Sequence, residues 1–144
     1  MKKEMFSGLH YLILDSDGRV SIPSLFREIL KNTYKNLDVV IAKAEDVFIT
    51  VYPLTEWKKF AGGRQCFSKA SKKSYTIEGC SYSLVSKSKI DNSGRIKIPN
   101  NIIKSLKLGK DIIIVGGGQY FFEIWNKTDW NRFFDDKQST YEDI

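Results

Sequence analysis

The chain has 144 residues, of which 42% are hydrophobic and 28% charged, with a net charge of +6 and a pI near 9.2. This is the composition of one globular domain or two very small ones, and it excludes a disordered chain. No apolar run approaches the roughly 18 residues of a membrane span, and Met1-Lys2-Lys3-Glu4-Met5-Phe6 lacks a signal-peptide core.

Taken in chain order, Leu9 to Leu14 is apolar and aromatic, a strand. Asp17-Gly18 is a hairpin turn signal, because glycine accepts positive φ without steric cost. Arg19 to Ile22 alternates polar and apolar, the second strand of that hairpin. Pro23 is placed in the first helical turn, where its missing N–H costs nothing, and Leu25, Phe26, Ile29 and Leu30 share one helical face. Val39 to Ala42 and Val47 to Tyr52 form another strand pair. Thr55 is the expected N-cap of a short helix carrying Trp57 and Phe60. Ala61 to Lys73, with Gly62, Gly63, serines and lysines, reads as a mobile basic linker. Tyr82 to Ile90 is a strand, Ser93-Gly94 a turn and Arg95 to Ile98 a strand. A helix from Pro99 carries Ile102, Ile103 and Leu106, with Gly109 as its expected stop. Strands follow at Asp111 to Val115 and Tyr120 to Trp125, then a helix from Thr128 through Phe134.

The two halves repeat one another. Asp15-Ser-Asp-Gly-Arg-Val-Ser-Ile-Pro23 and Asp91-Asn-Ser-Gly-Arg-Ile-Lys-Ile-Pro99 share five of nine residues at an offset of 76. Phe48, Thr55, Trp57 and Phe60 match Phe121, Thr128, Trp130 and Phe133 at an offset of 73. A unit of about 60 to 70 residues buries too little surface to be stable alone, so the copies are expected to pair.

Charge adds a candidate partner. The last ten residues hold four acids and one lysine, which leaves +9 on residues 1–134. A basic domain with an acidic tail has nucleic acid or an acidic surface as its first candidate. Arginine on a tight hairpin offers a rigid fork for phosphate oxygens or a guanine edge, and a two-stranded ribbon fits the major groove. Asp15 with Arg19, and Asp91 with Arg95, are expected to pair across their turns and orient the guanidinium groups. Lys87, Lys89 and Lys97 flank the second hairpin, while Arg27 and Lys104 stand on the helix after each hairpin. The bland alternative is that these pairs only stabilise the turns, at about 0 to 1 kcal/mol each.

Other chemistry is weakly supported. Gly116-Gly117-Gly118 follows an apolar strand but has no GK[ST] or GxGxxG spacing, so a hairpin turn is the simpler reading. Cys66 and Cys80 do not make a disulfide framework, and with His10 they do not fill a zinc site. No nucleophile–base constellation is placed by motif. The expectation is therefore a cytoplasmic non-enzyme without metal or cofactor, small-molecule substrate or membrane contact. Trp57, Trp125 and Trp130 are read as core or interface residues rather than base-stacking platforms.

The doubled Asp-x-x-Gly-Arg-x-x-Ile-Pro block resembles the MraZ family of bacterial regulators, built from two SpoVT-AbrB-like units. Further matches are Met5-Phe6-Ser7-Gly8, Leu14-Asp15, Phe26-Arg27, Ile90-Asp91, and Glu123-Ile124-Trp125 with Trp130. Where the family continues its second motif with Leu-Arg, this chain has Ile103 and Lys104 after Ile102. The resemblance implies an α+β, mainly β fold with pseudo-twofold symmetry, one barrel-like core and short helices. Residues 1–60 would form the first repeat, 61–76 a basic linker, 77–134 the second repeat and 135–144 an acidic tail. It also implies a ring-shaped homo-oligomer that binds double-stranded DNA at short promoter repeats upstream of the division and cell-wall gene cluster, in association with the nucleoid. Asp15, Arg19, Arg27, Lys89, Asp91, Arg95, Lys97 and Lys104 are the candidate DNA-binding residues. An antitoxin-like module that binds a protein is the alternative, disfavoured by the doubled domain and the short tail.

Overall fold

A computed structural model describes residues 5–43, 47–62 and 85–142. In chain order the elements are β1 (Leu9–Ile13), β2 (Arg19–Ser21), α1 (Ser24–Ile29), a π-helical turn (Leu30–Tyr34), β3 (Asp38–Ala42), β4 (Phe48–Pro53) and α2 (Leu54–Gly62). The second half gives β5 (Val85–Lys89), β6 (Arg95–Lys97), α3 (Asn100–Leu106), β7 (Asp111–Gly116), β8 (Phe122–Asn126) and α4 (Lys127–Glu142).

The halves are interleaved. One six-stranded antiparallel sheet has the order β1-β7-β8-β4-β3-β5, and β2 and β6 form a separate two-stranded ribbon. The first strand of each repeat joins the other repeat's sheet: Leu9 pairs with Val115, and Val85 pairs with Ala42. The central β4–β8 ladder pairs Ile49 with Ile124, and the ribbon centres on Val20 and Ile96. The sequence predicts β1 with β2 and β5 with β6 as ladder-paired hairpins. The turns are present, but each hairpin opens beyond its turn and its two strands pair with the other repeat. Nor, among the described residues, does the sheet close into a barrel, because β1 and β5 are its two edges.

Alternation along the strands explains the layers. Ile41, Ile49, Val51, Ile112, Ile114 and Ile124 face the ribbon residues Val20, Ile22, Ile96 and Ile98 in one core, which α1 and α3 close with Phe26, Ile29, Ile102 and Leu106. Full burial of such side chains is worth about 1.5 to 3 kcal/mol each. Phe6, Phe26 and Phe122 form a ring cluster with centroids 4.9–5.4 Å apart. The opposite sheet face carries Phe48 stacked on Trp125 at 4.7 Å, with Trp130 edge-on to Trp125 at 5.2 Å. Its pseudo-twofold counterpart is Tyr52 against Phe121 and Trp57. The tryptophans are thus packing residues of α2, β8 and α4, as expected.

Several boundaries differ from expectation. Pro23 and Pro99 are N-cap residues with extended ψ of 140° and 144°, so the helices begin one residue later. Thr55 lies inside α2, which begins at Leu54. Lys107, at φ 52°, takes the left-handed position that ends α3, while the Gly109 N–H donates to Asn126 Oδ1 at 2.7 Å. Residues read as an acidic tail continue α4 as far as Glu142, since nothing from Asp135 to Glu142 breaks a helix. The expected linker lies outside the described residues beyond Gly62, as do positions 82–84 of the strand expected from Tyr82.

Candidate nucleic-acid interface

The two glycine turns are brought side by side by the ribbon. In the first, Asp15 Oδ1 accepts the backbone N–H groups of Asp17 and Arg19, both at 2.9 Å. In the second, Asp91 Oδ1 accepts those of Ser93 at 2.8 Å and Arg95 at 3.0 Å. These are Asx turns, in which a carboxylate replaces a backbone acceptor. Gly18 and Gly94 each take φ of +80°, which closes the turn. Each turn is also pinned by the other repeat: the Ile98 N–H donates to the Gly18 carbonyl and the Ile22 N–H to the Gly94 carbonyl, both at 2.8 Å.

The side chains do not pair as the sequence suggests. Asp15 does not form a salt bridge with Arg19. Its Oδ2 accepts from Arg95 of the other repeat at 3.2 Å. Arg19 instead lies 3.9 Å from the exposed Asp17 carboxylate. Asp91 makes no salt bridge with Arg95 among the described residues; its carboxylate holds backbone N–H groups. The reason is the opened hairpin. Pairing β2 with β6 places Arg19 opposite Lys97 and Ser21 opposite Arg95, which brings the Arg95 guanidinium to Asp15 of the other repeat and leaves Arg19 beside Asp17 of its own. The Arg19 and Arg95 side chains are about equally half-exposed, at 39% and 40%.

Electrostatics follow the same contacts. The backbone N–H of Arg19, with that of Asp17 and the charges of Arg95 and Arg19, holds the Asp15 carboxyl below the usual aspartate range. The Arg95 N–H, with that of Ser93 and the same two charges, does so for Asp91. Both carboxylates are therefore ionised at neutral pH, and they temper the basic surface beside them.

Six of the eight candidate residues meet here: Asp15, Arg19, Asp91, Arg95, Lys97 and Arg27. Lys97 is exposed, and its Nζ donates to the Asp17 carbonyl. Arg27 Nε donates to the Ile22 carbonyl at 3.1 Å, and its guanidinium lies over Gly94. Lys89 is exposed at the end of β5 that leads into the second turn. Lys104 is exposed on α3, one residue beyond the structural counterpart of Arg27. That counterpart is Ile103, whose Cδ1 covers Gly18 as Arg27 covers Gly94. The offset of 76 already pairs positions 27 and 103. Asp17 is the residue missed at this site: it faces Arg19 and Lys97, yet in the sequence it reads only as a turn former. His10 and the triple glycine are structural. His10 Nε2 lies 3.0 Å from the Ser7 carbonyl, and Gly116 lets the backbone of Phe6 and Ser7 pass where a Cβ would collide.

The family model described as "MraZ protein, putative antitoxin-like" matches residues 5–77 and 85–143. The chain belongs to the MraZ family. Proteins named "Transcriptional regulator MraZ" from Alkaliphilus metalliredigens and Halothermothrix orenii are 31% and 30% identical over 97% of this chain and 94% of their own length. The MraZ protein of Syntrophobacter fumaroxidans is 31% identical over 100% of this chain and 94% of its own. The match spans both repeats, so the ribbon and both turns lie inside the MraZ region. Among the described residues no helix is long and apolar enough to cross a membrane.

Proposed function

We propose that this MraZ-family chain is a transcriptional regulator that binds double-stranded DNA through the β2–β6 ribbon. The observation that carries this reading is the placement of both glycine turns on one ribbon, with Arg19, Lys97 and Arg95 on its solvent side. A two-stranded ribbon fits the major groove, where an arginine fork can meet guanine O6 and N7. Lys89 and Lys97 supply phosphate contacts that position without specifying sequence. The targets are short repeated boxes upstream of the chain's own gene, within a division and cell-wall gene cluster. The relatives' names support the regulatory role.

The same reading holds that copies assemble into a ring, so that several ribbons engage repeated boxes at once. Support comes from β1. Its outward residues Leu9, Tyr11 and Ile13 are 43%, 63% and 57% exposed on a sheet edge. The equivalent edge residues of β5 are Val85, Lys87 and Lys89, and edge lysines are a common guard against association. The apolar edge suits a second copy. Sedimentation should show an oligomer at micromolar concentration, and a monomer there would overturn the ring.

The binding test compares the chain's own upstream fragment with a scrambled one of equal length at two salt concentrations. Preference for the upstream fragment that survives the higher salt is expected. With about six phosphates neutralised, log K should fall against log salt with a slope of about −5. Equal binding that vanishes with salt would instead favour a protein partner, the antitoxin-like reading echoed in the family's description.

A further inference from the structure

The two repeats are not equivalent at the ribbon. Arg95 is as exposed as Arg19 but engaged with the other repeat: it bridges to Asp15 at 3.2 Å, and its Nε is buried without a hydrogen-bond partner among the described residues. Asp15 in turn holds the Arg19 backbone N–H. The reverse bridge, from Arg19 to Asp91, is not formed among the described residues. Arg19 has only the loose 3.9 Å approach to Asp17, whose side chain is 73% exposed. The helices differ in the same sense. Arg27 lies over the second turn and bonds the Ile22 carbonyl, whereas Ile103 covers the first turn with an apolar cap. Contacts thus run one way, from Arg95 through Asp15 to Arg19.

We infer that the repeats divide the work: Arg19 reads the DNA sequence, while Arg95 is a positioning residue that acts on Arg19 through Asp15. This rests on the DNA-binding reading above and goes beyond it by assigning different roles to the two motif arginines. The physical reason is the state of each guanidinium. A bidentate fork on a base edge needs two adjacent guanidinium nitrogens free, and in Arg95 one is bridged to Asp15 and Nε is buried. Arg19 gives up one long, solvent-screened contact. Arg95 would give up a charge-assisted hydrogen bond and loosen the turn that aims Arg19. Arg27 belongs to the framework for the same reason.

The test uses the full chain and the two fragments above, with thermal unfolding of each variant as a folding control. Arg19→Ala should lose about 10- to 100-fold of the preference for upstream over scrambled DNA. Arg95→Ala should weaken binding about two- to fivefold, the scale of a half-exposed ion pair. Two further readouts separate positioning from direct contact. In an Asp15→Asn background, where the amide oxygen still accepts the Arg19 N–H but the ion pair is gone, Arg95→Ala should have no further effect. Arg95→Lys should restore binding, because an ammonium can still bridge to Asp15 but cannot supply a bidentate fork. The inference is overturned if Arg95→Ala costs as much in the Asp15→Asn background as in the native chain, if Arg95→Lys behaves like Arg95→Ala, or if Arg19→Ala keeps full preference. Absence of any preference in the native chain would remove the DNA-binding reading itself, and this inference with it. Should Arg95→Ala not fold, Arg95→Lys alone decides.

Discussion

Gly18 and Gly94 share a φ of +80° but not a neighbourhood. Any L-residue pays about 1 to 2 kcal/mol for a left-handed backbone, so alanine at either site should destabilise the chain. At Gly94 the added Cβ would meet the Arg27 guanidinium at 3.0 Å, and a long side chain can swing aside. At Gly18 it would meet the Ile98 carbonyl oxygen at 3.1 Å, which the ribbon holds in place. Gly18→Ala should therefore lower the melting temperature more than Gly94→Ala, at about 3 °C per kcal/mol. Calorimetry of both variants checks the order.

Asp15 sets a pH dependence of definite sign. Its folded pKa is depressed below the ordinary 3.8, chiefly by the Arg19 N–H. A depressed carboxyl contributes stability that is present above the unfolded value and lost as pH falls through the folded one. Asp15→Asn cannot titrate, so its melting temperature should fall less steeply than the native chain's as pH drops below about 4. Parallel acid titrations followed by circular dichroism would show this, and coincident slopes would count against it.

At the scale of elements, the π-helical turn after α1 is held from outside. Tyr34 Oη donates to Glu56 Oε2 on α2 at 2.6 Å. Partial burial and the Glu56 carboxylate raise the phenol well above its usual pKa, which keeps it a donor. Tyr34→Phe removes a hydrogen bond to a charged acceptor and should cost about 1.5 to 3 kcal/mol in urea unfolding. Strands and helices such as these were largely legible in the sequence. Alternation from Arg19 to Ile22 and the run from Val39 to Ala42 fall where β2 and β3 form. Partners were not legible. Period-two patterning tells which face a residue takes, not which strand lies beside it, so β1 read equally well against β2 or β7. The site shows the same limit. The motif marked Asp15, Arg19, Asp91 and Arg95, but which acid holds which arginine depends on the cross-repeat register.

The whole molecule is two halves that complete each other. Among the described residues, β3–β4 and β7–β8 are the ladders within a repeat, whereas β1–β7, β3–β5, β4–β8 and β2–β6 all cross between repeats. Neither residues 1–76 nor 77–144 expressed alone should give a folded monomer, whereas the two mixed should recover cooperative unfolding. Size-exclusion chromatography with thermal unfolding checks this, and a folded monomeric half would refute it. Fusion of the copies also frees their surfaces to differ. In a symmetric pair of identical units, Arg27 and Ile103 could not occupy the same site of the two turns, nor Tyr11 and Lys87 the same site of the two sheet edges.

Interleaving also has a consequence in time. Leu9 pairs with Val115, so β1 finds its ladder only after roughly 100 further residues have been made. At roughly 5 to 20 residues per second, the strand leaves the ribosome about 5 to 20 s before β7 does. Through that interval Leu9, Tyr11 and Ile13, together with the strand's inward face, stand unpaired in the cell. The first strand made is among the last to be secured, and nascent chains are most open to chaperones or to mispairing with a neighbour during that wait.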